Sequence, residues 1–257
     1  MARIAFILLT HKDPKGVIAQ ARRLTAAGDY VAIHFDARAN SDDFRAIRTA
    51  LADDPGVTFA RKRLKCGWGE WSLVAATLEA LKAAADAFPQ ATHFYLLSGD
   101  CMPIKSAEYV HNFLDAEDFD YIESFDFFES DWIKTGIKAE RLIYRHWFNE
   151  RTQKRLFYAS MGLQQRFGLT RDIPKDIRMM IGSQWWCLRR ETVESVMTFC
   201  ESRPDVMRFF ATTWIPDETF FQTLVAHLVP RRQIRTRTLT FLMFTDYGMP
   251  VTFYKDH

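Results

Sequence analysis

At 257 residues and 48% apolar, the chain is long enough for one large α/β domain or two small ones with a well-buried core, which excludes a disordered or fibrous class. A formal charge of +2 is too mild for the strongly basic face of a nucleic-acid binder, so the expected partners are small or neutral. Cys66, Cys101, Cys187 and Cys200 have neither CxxC nor metal-ligand spacing; they read as free thiols of a reducing cytosol.

The apolar run at the start of the chain is too short for a signal sequence, and no stretch approaches the ~18 uncharged apolar residues of a membrane span. A cytoplasmic protein is expected, with peripheral contact at the inner face of a membrane left open.

Arg3 to Thr10 reads as a buried parallel strand that ends in the polar turn Thr10-His11-Lys12-Asp13-Pro14. A helix is expected from Pro14 to about Ala27, stopped by Gly28, and a second strand from Tyr30 to Phe35, ending in His34-Phe35-Asp36-Ala37-Arg38. This β-α-β opening predicts a doubly wound sheet. Ser41 can cap a helix to about Ala52, Val57 to Ala60 is a short strand, and Ser72 to Ala87 a long helix preceded by Lys65 to Trp71. The strand His93 to Leu97 stops at Ser98-Gly99-Asp100. In open α/β sheets ligands sit beyond the carboxyl ends of the strands, so His11, Asp36 and Asp100 mark a nucleotide-sized site on one sheet edge.

Absent motifs narrow the chemistry. No GxGxxG follows the first strand, no GxxxxGK[ST] exists and no GxSxG is present, which argues against a dinucleotide fold, a P-loop and a hydrolase elbow.

From Phe119 to about Arg171 aromatic and basic residues mix without clear period. Three readings stand: an insertion that covers the site and binds acceptor, a helical surface with solvated charges, or a basic-aromatic face resting on a membrane. Gly182 to Leu188 returns to strand character and Glu191 to Cys200 to helix. In Trp214-Ile215-Pro216-Asp217-Glu218-Thr219-Phe220-Phe221, Pro216 suits a first helical position, which puts Asp217 and Glu218 in a first turn running on to Leu228. The pair either offsets the helix dipole or presents Glu218 as a general base. In the run Arg231 to Arg237, Arg235 and Arg237 would share one face of a strand, meeting a diphosphate or forming a solvated edge.

Placed in order, these segments resemble the core-2/I-branching β-1,6-N-acetylglucosaminyltransferase family, which includes the peptide O-xylosyltransferases. Leu9-Thr10-His11-Lys12-Asp13 resembles its opening strand and turn. His34-Phe35-Asp36-Ala37-Arg38 is similar to His-Val-Asp-x-Lys, and Trp68-Gly69 with Ser72 to Trp-Gly-x-x-Ser. Leu97-Ser98-Gly99-Asp100 with Pro103 is similar to Leu-Ser-Gly-x-Asp/Cys-x-Pro. Gly182-Ser183-Gln184-Trp185-Trp186 resembles Gly-Ser-Gln-Trp-Phe, and Pro216-Asp217-Glu218 with Phe220-Phe221-Gln222 resembles Pro-Asp-Glu-x-Phe-Phe. Together the motifs cover about residues 3 to 225.

The resemblance implies a GT-A-like single domain: an α/β fold whose mostly parallel central sheet is flanked by helices, with a Rossmann-like nucleotide-sugar-binding half over 1–118 and an acceptor-binding and catalytic half over 119–257. It implies inverting transfer of a sugar, GlcNAc favoured, from a UDP-sugar to a hydroxyl of a glycan or peptide acceptor. UDP-xylose transfer and a non-catalytic nucleotide-sugar or glycan-binding module are the alternatives. No metal or other cofactor is expected: the second position after Asp100 is Met102, whereas hard divalent cations want several oxygen ligands. The family's glutamate base falls on Glu218. Asp36 matches a nucleotide contact, and Thr10, His11, Arg38, Trp68 and Asp100 are assigned with it to the donor. Ser183, Gln184, Trp185, Trp186 and Asp217 are assigned to the substrate, Asp217 also having a structural reading. The family's diphosphate-binding Phe-Ala-x-Lys-Phe-like segment has no counterpart here, and Tyr247-Gly248-Met249-Pro250 only loosely resembles what precedes it. Arg235, Arg237 or Lys255 is expected to take its place.

Overall fold

The computed structural model describes residues 1–243 and 251–253; Tyr247 to Pro250 and Lys255, named above, lie outside the described residues. The chain opens with β1 (Ile4–Thr10), α1 (Pro14–Thr25), β2 (Tyr30–Phe35), α2 (Ser41–Ala50), β3 (Val57–Phe59), α3 (Trp71–Ala87) and β4 (His93–Ser98). It continues through α4 (Ala107–Ala116), β5 (Asp120–Ile122), β6 (Phe125–Asp126), α5 (Glu140–Ile143), α6 (Lys154–Arg166), β7 (Met180–Ile181) and β8 (Trp186–Arg189). The last elements are α7 (Arg190–Ser202), α8 (Pro204–Phe210), α9 (Phe220–Leu228) and β9 (Ile234–Arg235).

Seven strands form the central sheet in the order β3-β2-β1-β4-β8-β5-β9, and β6 pairs with β7 in a separate ribbon. Every neighbouring pair around β1 and β2 is parallel, as is β5 with β9; β8 runs antiparallel to both of its neighbours. The expected mixed α/β domain with a mostly parallel sheet is therefore what the chain forms. Because β5, β8 and β9 extend the sheet begun by β1 to β4, the halves 1–118 and 119–257 share one sheet.

Strand alternation divides the core into two layers. Ala5 and Ile7 of β1 and Ala32 of β2 face one layer, where α3 brings Val74, Ala80, Leu81 and Ala84. The small side chains on both surfaces let the Ala-rich helix lie close to the strands. Ile4, Phe6 and Leu8 of β1 with Val31, Ile33 and Phe35 of β2 face the other layer, against Val17, Ala21 and Leu24 of α1 and Leu114 of α4.

Three readings need correction. The stretch from Phe119 is no pure insertion, since Tyr121 and Ile122 of β5 are fully buried between β8 and β9; three residues are too few to show a period. Residues Pro216–Glu218 form a single 3-10 turn, and α9 starts only at Phe220 after Thr219 leaves helical geometry at φ −129°. The helix α2 is capped by Asn40, whose side chain accepts the Asp42 N–H, and not by Ser41. Two helices, α4 and α8, were not anticipated; α4 does carry a local signal, the Ser106 hydroxyl accepting the Tyr109 N–H.

Candidate active site

The carboxyl ends of β1, β2 and β4 lie side by side, with Thr10 opposite Phe35 and Leu9 opposite Ser98. His11, Asp36 and Asp100 therefore gather at one edge, as the spacing of strand ends required. The strand order reverses between β1 and β4, the position at which doubly wound sheets leave a crevice. In that crevice Lys12 Nζ lies 3.0 Å from Asp100 Oδ2, both side chains being exposed. Thr10 is buried beneath them. Asp13 closes the start of α1 by accepting the Gly16 N–H at 3.0 Å, so that helix end has an acceptor of its own.

Asp36 organises the next loop. Its carboxylate accepts the backbone N–H groups of Arg38 at 2.7 Å and of Cys66 at 3.3 Å. Ala37 N–H donates to the Leu64 carbonyl. This draws the loop 64–70 over the strand ends and carries Trp68 with it. Trp68 is 42% exposed, with the Arg151 guanidinium stacked 3.6 Å from its ring centroid and Trp214 edge-on at 5.6 Å. Arg38 approaches Glu70 at 3.8 Å. The Asn149 amide, almost fully buried, donates to Trp68 O at 2.9 Å and Glu70 Oε1 at 2.7 Å.

Between this loop and residues 146–149 lies a cleft of about 330 Å³, lined among others by Glu70, Ser72, Trp147, Asn149 and Trp214. His146 on its wall donates through Nε2 to the Glu140 carbonyl, and burial pushes its imidazole down to about 4, so the ring is neutral at physiological pH.

Gly69 joins the cleft to the candidate base. Its φ of +69° is strained for any residue with a side chain, and a Cβ there would crowd the Trp214 ring at 3.1 Å. Its carbonyl accepts the Ile215 N–H at 2.9 Å. Ile215 is buried and left-handed, at φ 53° and ψ 57°, which is strained for a β-branched residue. The turn so formed presents Asp217 and Glu218.

Glu218 accepts from Arg141 Nη1 through Oε2 at 3.0 Å and from the Trp132 side chain. Burial pushes its carboxyl above the ordinary carboxylate range, against the lowering pull of these two partners. The carboxyl of Asp217 is pushed up to about 7, first by burial and then by the charge of Glu218, and its Oδ1 is buried without a hydrogen-bond partner. Glu123, just after β5, is a third acid raised by burial, against the lowering pull of the Ser183 backbone N–H. Perturbed acids concentrated around one turn are a mark of chemistry.

Gly182 to Trp185 close this side. Gly182 N–H donates to the Glu218 carbonyl at 2.9 Å, and Gln222 Nε2 donates to Ser183 O at 2.6 Å and Asp217 O at 3.3 Å. Ser183 is itself buried, whereas Gln184 and Trp185 are half-buried, Trp185 packing against the core. Trp186 is a correction: it is 0% exposed and packs on Phe221 at 4.9 Å in the core, where it cannot meet substrate.

Arg235 and Arg237 are not brought to the crevice. Arg235 ends β9 and Arg237 lies two residues beyond it, outside any strand; β9 is separated from β1 by β4, β8 and β5, about 19 Å at the usual strand spacing. Arg235 stacks 3.6 Å from the Phe119 centroid, and Arg237 lies near Phe113 and Tyr121. Arg141, Trp132, Glu123 and Asn149 were not singled out from sequence. Arg141 stood among the basic residues of 119–171, but a partner 77 residues away leaves no spacing to read.

Among the described residues no group of three or more His, Cys, Asp and Glu is arranged to hold a metal ion, and no helix is long and apolar enough to cross a membrane.

A family model described as Branch, Core-2/I-Branching enzyme, matches residues 4–255. No curated protein sequence matches the chain. Among solved structures it is similar to the mannosyltransferase Ktr4p from S. cerevisiae, at 11% identity and a TM-score of 0.38 over 91% of this chain and 68% of that one. A structure of Ktr4p in complex with GDP matches at 10% identity and a TM-score of 0.38, over 88% of this chain and 66% of that one. The bifunctional glycosyltransferase WbbM, in its apo form, matches at 9% identity and a TM-score of 0.35, over 93% of this chain and 38% of that one.

Proposed function

The chain belongs to the Core-2/I-branching enzyme family, a family of glycosyltransferases, and we propose that it transfers a sugar with inversion from a UDP-sugar, UDP-GlcNAc before UDP-xylose, to a hydroxyl of a glycan or peptide acceptor. The observation that carries this reading is the Glu218 carboxylate, held between Arg141 and Trp132 on a strained turn. A carboxylate with a raised pKa and a fixed orientation is suited to take a proton from an attacking hydroxyl.

In such a transfer the acceptor oxygen forms a bond to the anomeric carbon as the bond from that carbon to the UDP oxygen breaks, and the hydroxyl proton passes to Glu218. Asp36 and the strand ends of β1 and β4 hold the nucleotide in this reading, and Trp68 bounds the donor sugar. Lys12, in the crevice between β1 and β4, is placed to offset the diphosphate's charge, the role expected of Arg235 and Arg237. The cleft lined by Trp147, Asn149 and Trp214 receives the acceptor, the flat aromatic faces suiting a sugar ring. The unpaired thiols suit a cytoplasmic setting.

The test is turnover with UDP-GlcNAc and UDP-xylose against a panel of sugar and peptide acceptors, with Glu218→Gln alongside. Wild type should release UDP only when acceptor is present. Glu218→Gln should lose about 10²-fold or more in kcat while UDP affinity holds. A protein that binds UDP but turns over neither donor is a binding module, and the proposal fails.

A further inference from the structure

The buried side of α6 is a narrow seam. Phe157, Met161 and Gln164 face inward, with Phe157 packed on Trp214 at 4.9 Å between ring centroids. The rest of the helix is largely exposed, and its composition is not that of an ordinary solvated face. Leu156, Leu163 and Phe167 are 50%, 56% and 64% exposed, and Leu169 just beyond is 53% exposed. Offsets of seven and eleven residues from Leu156 return to within about 20° of the same azimuth, so these three side chains line up along one side, with Ala159 and Ser160 between the first two.

Beside it runs a stripe of charge. Arg155 and Arg166, also eleven residues apart, share an azimuth on the outermost side of the helix, and Lys154 stands exposed at its start. No ion pair to Lys154, Arg155 or Arg166 occurs among the described residues. From Arg151 to Thr170 the sequence contains no acidic residue at all. The nearest acids have other places: Glu150 accepts from the Tyr158 hydroxyl, and Asp172 lies past the end of the helix.

We propose that this face of α6 docks on an anionic lipid surface, with Leu156, Leu163, Phe167 and Leu169 entering the headgroup boundary and Arg155 and Arg166 meeting lipid phosphates. An exposed helix with apolar and basic stripes side by side is the arrangement of an interfacial helix. A second copy of the chain is disfavoured as occupant, because a two-fold contact would set the same basic stripe against itself. The geometry also has a functional sense. The far side of α6 supports Trp214, a wall of the cleft, so docking holds the cleft close to the lipid surface.

Flotation of the purified chain with phosphatidylcholine vesicles, and with vesicles containing about a third phosphatidylglycerol, tests the proposal. Binding should require the anionic lipid and fall steeply as salt rises from about 0.05 to 0.5 M. The variants Arg155→Gln/Arg166→Gln and Leu163→Glu/Phe167→Glu should each lose at least about tenfold in vesicle affinity, with melting temperatures near wild type because all four side chains are exposed. The proposal is overturned if wild type ignores both vesicles or binds them equally. It is also overturned if light scattering shows a dimer that Leu163→Glu/Phe167→Glu dissolves. None of these readouts depends on the sugar donor, so they stand or fall separately from the transferase assignment.

Discussion

Arg141 and Glu218 meet at 3.0 Å, Nη1 to Oε2, with Arg141 nearly buried and Glu218 about a third exposed. The arginine thus steadies the acid and at the same time draws its proton affinity down. Replacing Arg141 by Met removes the downward pull and leaves burial unopposed except by Trp132, so the Glu218 carboxyl rises further. A base works only when ionised, and activity is lost as pH falls through its pKa. The acid limb of kcat/KM should therefore move to higher pH, with a deficit that is largest on the acid side and shrinks in alkaline buffer. A pH-rate profile that keeps its acid limb in place would remove Arg141 from control of the base.

Asp217 is raised by burial as well, with no hydrogen-bond partner for its Oδ1. Its folded-state carboxyl is raised from 3.8 to about 7, so the folded protein binds a proton more tightly than the unfolded chain. The resulting stability is fully present below about 3.8 and is lost as pH rises through about 7. Asp217→Asn should flatten that dependence and make the protein more stable above pH 7 by about 1 to 3 kcal/mol, because an unsatisfied buried charge beside Glu218 is gone. Thermal melts of both proteins across pH 4 to 9 measure the difference; parallel curves would contradict the assignment.

What the sequence disclosed and what it withheld follow one physical line. The strands β1, β2 and β4 were readable because each is a continuous apolar run that stops at a polar cluster, and parallel pairing then obliged His11, Asp36 and Asp100 to share an edge. Glu218 was readable from a motif. Arg141, Trp132 and Asn149 were not, because their partners lie far off in sequence and the segment that bears them has no period. The misplaced tryptophan is instructive in the same way: Trp185 and Trp186 are adjacent, yet Trp186 is fully buried in the core while Trp185 stays half-buried at the margin of the same cluster. Motif order alone does not say which.

Gly182 connects the substrate loop to the base through main chain alone. A Cβ built there would lie 2.0 Å from the Glu123 carbonyl oxygen, a contact that only backbone movement relieves. Gly182→Ala should cost about 1 to 3 kcal/mol, and it should reduce kcat through the displaced Glu218 carbonyl contact. Denaturant titration and steady-state kinetics check the two halves. Unchanged values in both would show that the loop yields freely.

Asp120 is fully buried. It accepts from the Arg189 backbone N–H at 2.8 Å, from Arg189 Nη2 at 3.0 Å and from the Thr192 hydroxyl at 2.7 Å. Asp120→Ala leaves a buried guanidinium without this partner and should destabilise the fold by about 3 to 5 kcal/mol, read by urea unfolding. A loss below 1 kcal/mol would mean that Asp118 and Glu191, which also pair with Arg189, suffice to hold it.

Ile215 sets a limit on how this protein can be improved. Its left-handed backbone costs the fold about 1 to 2 kcal/mol, and the side chain is held there by Trp214 and Phe157. A laboratory selection for heat resistance would tend toward glycine or asparagine at this position, relaxing the turn. A selection for turnover would keep the isoleucine, whose side chain anchors the turn bearing Glu218 against Trp214 and Phe157. Variants gathered under the two pressures should part company at residue 215, and their divergence would map the trade between endurance and catalysis onto a single torsion angle.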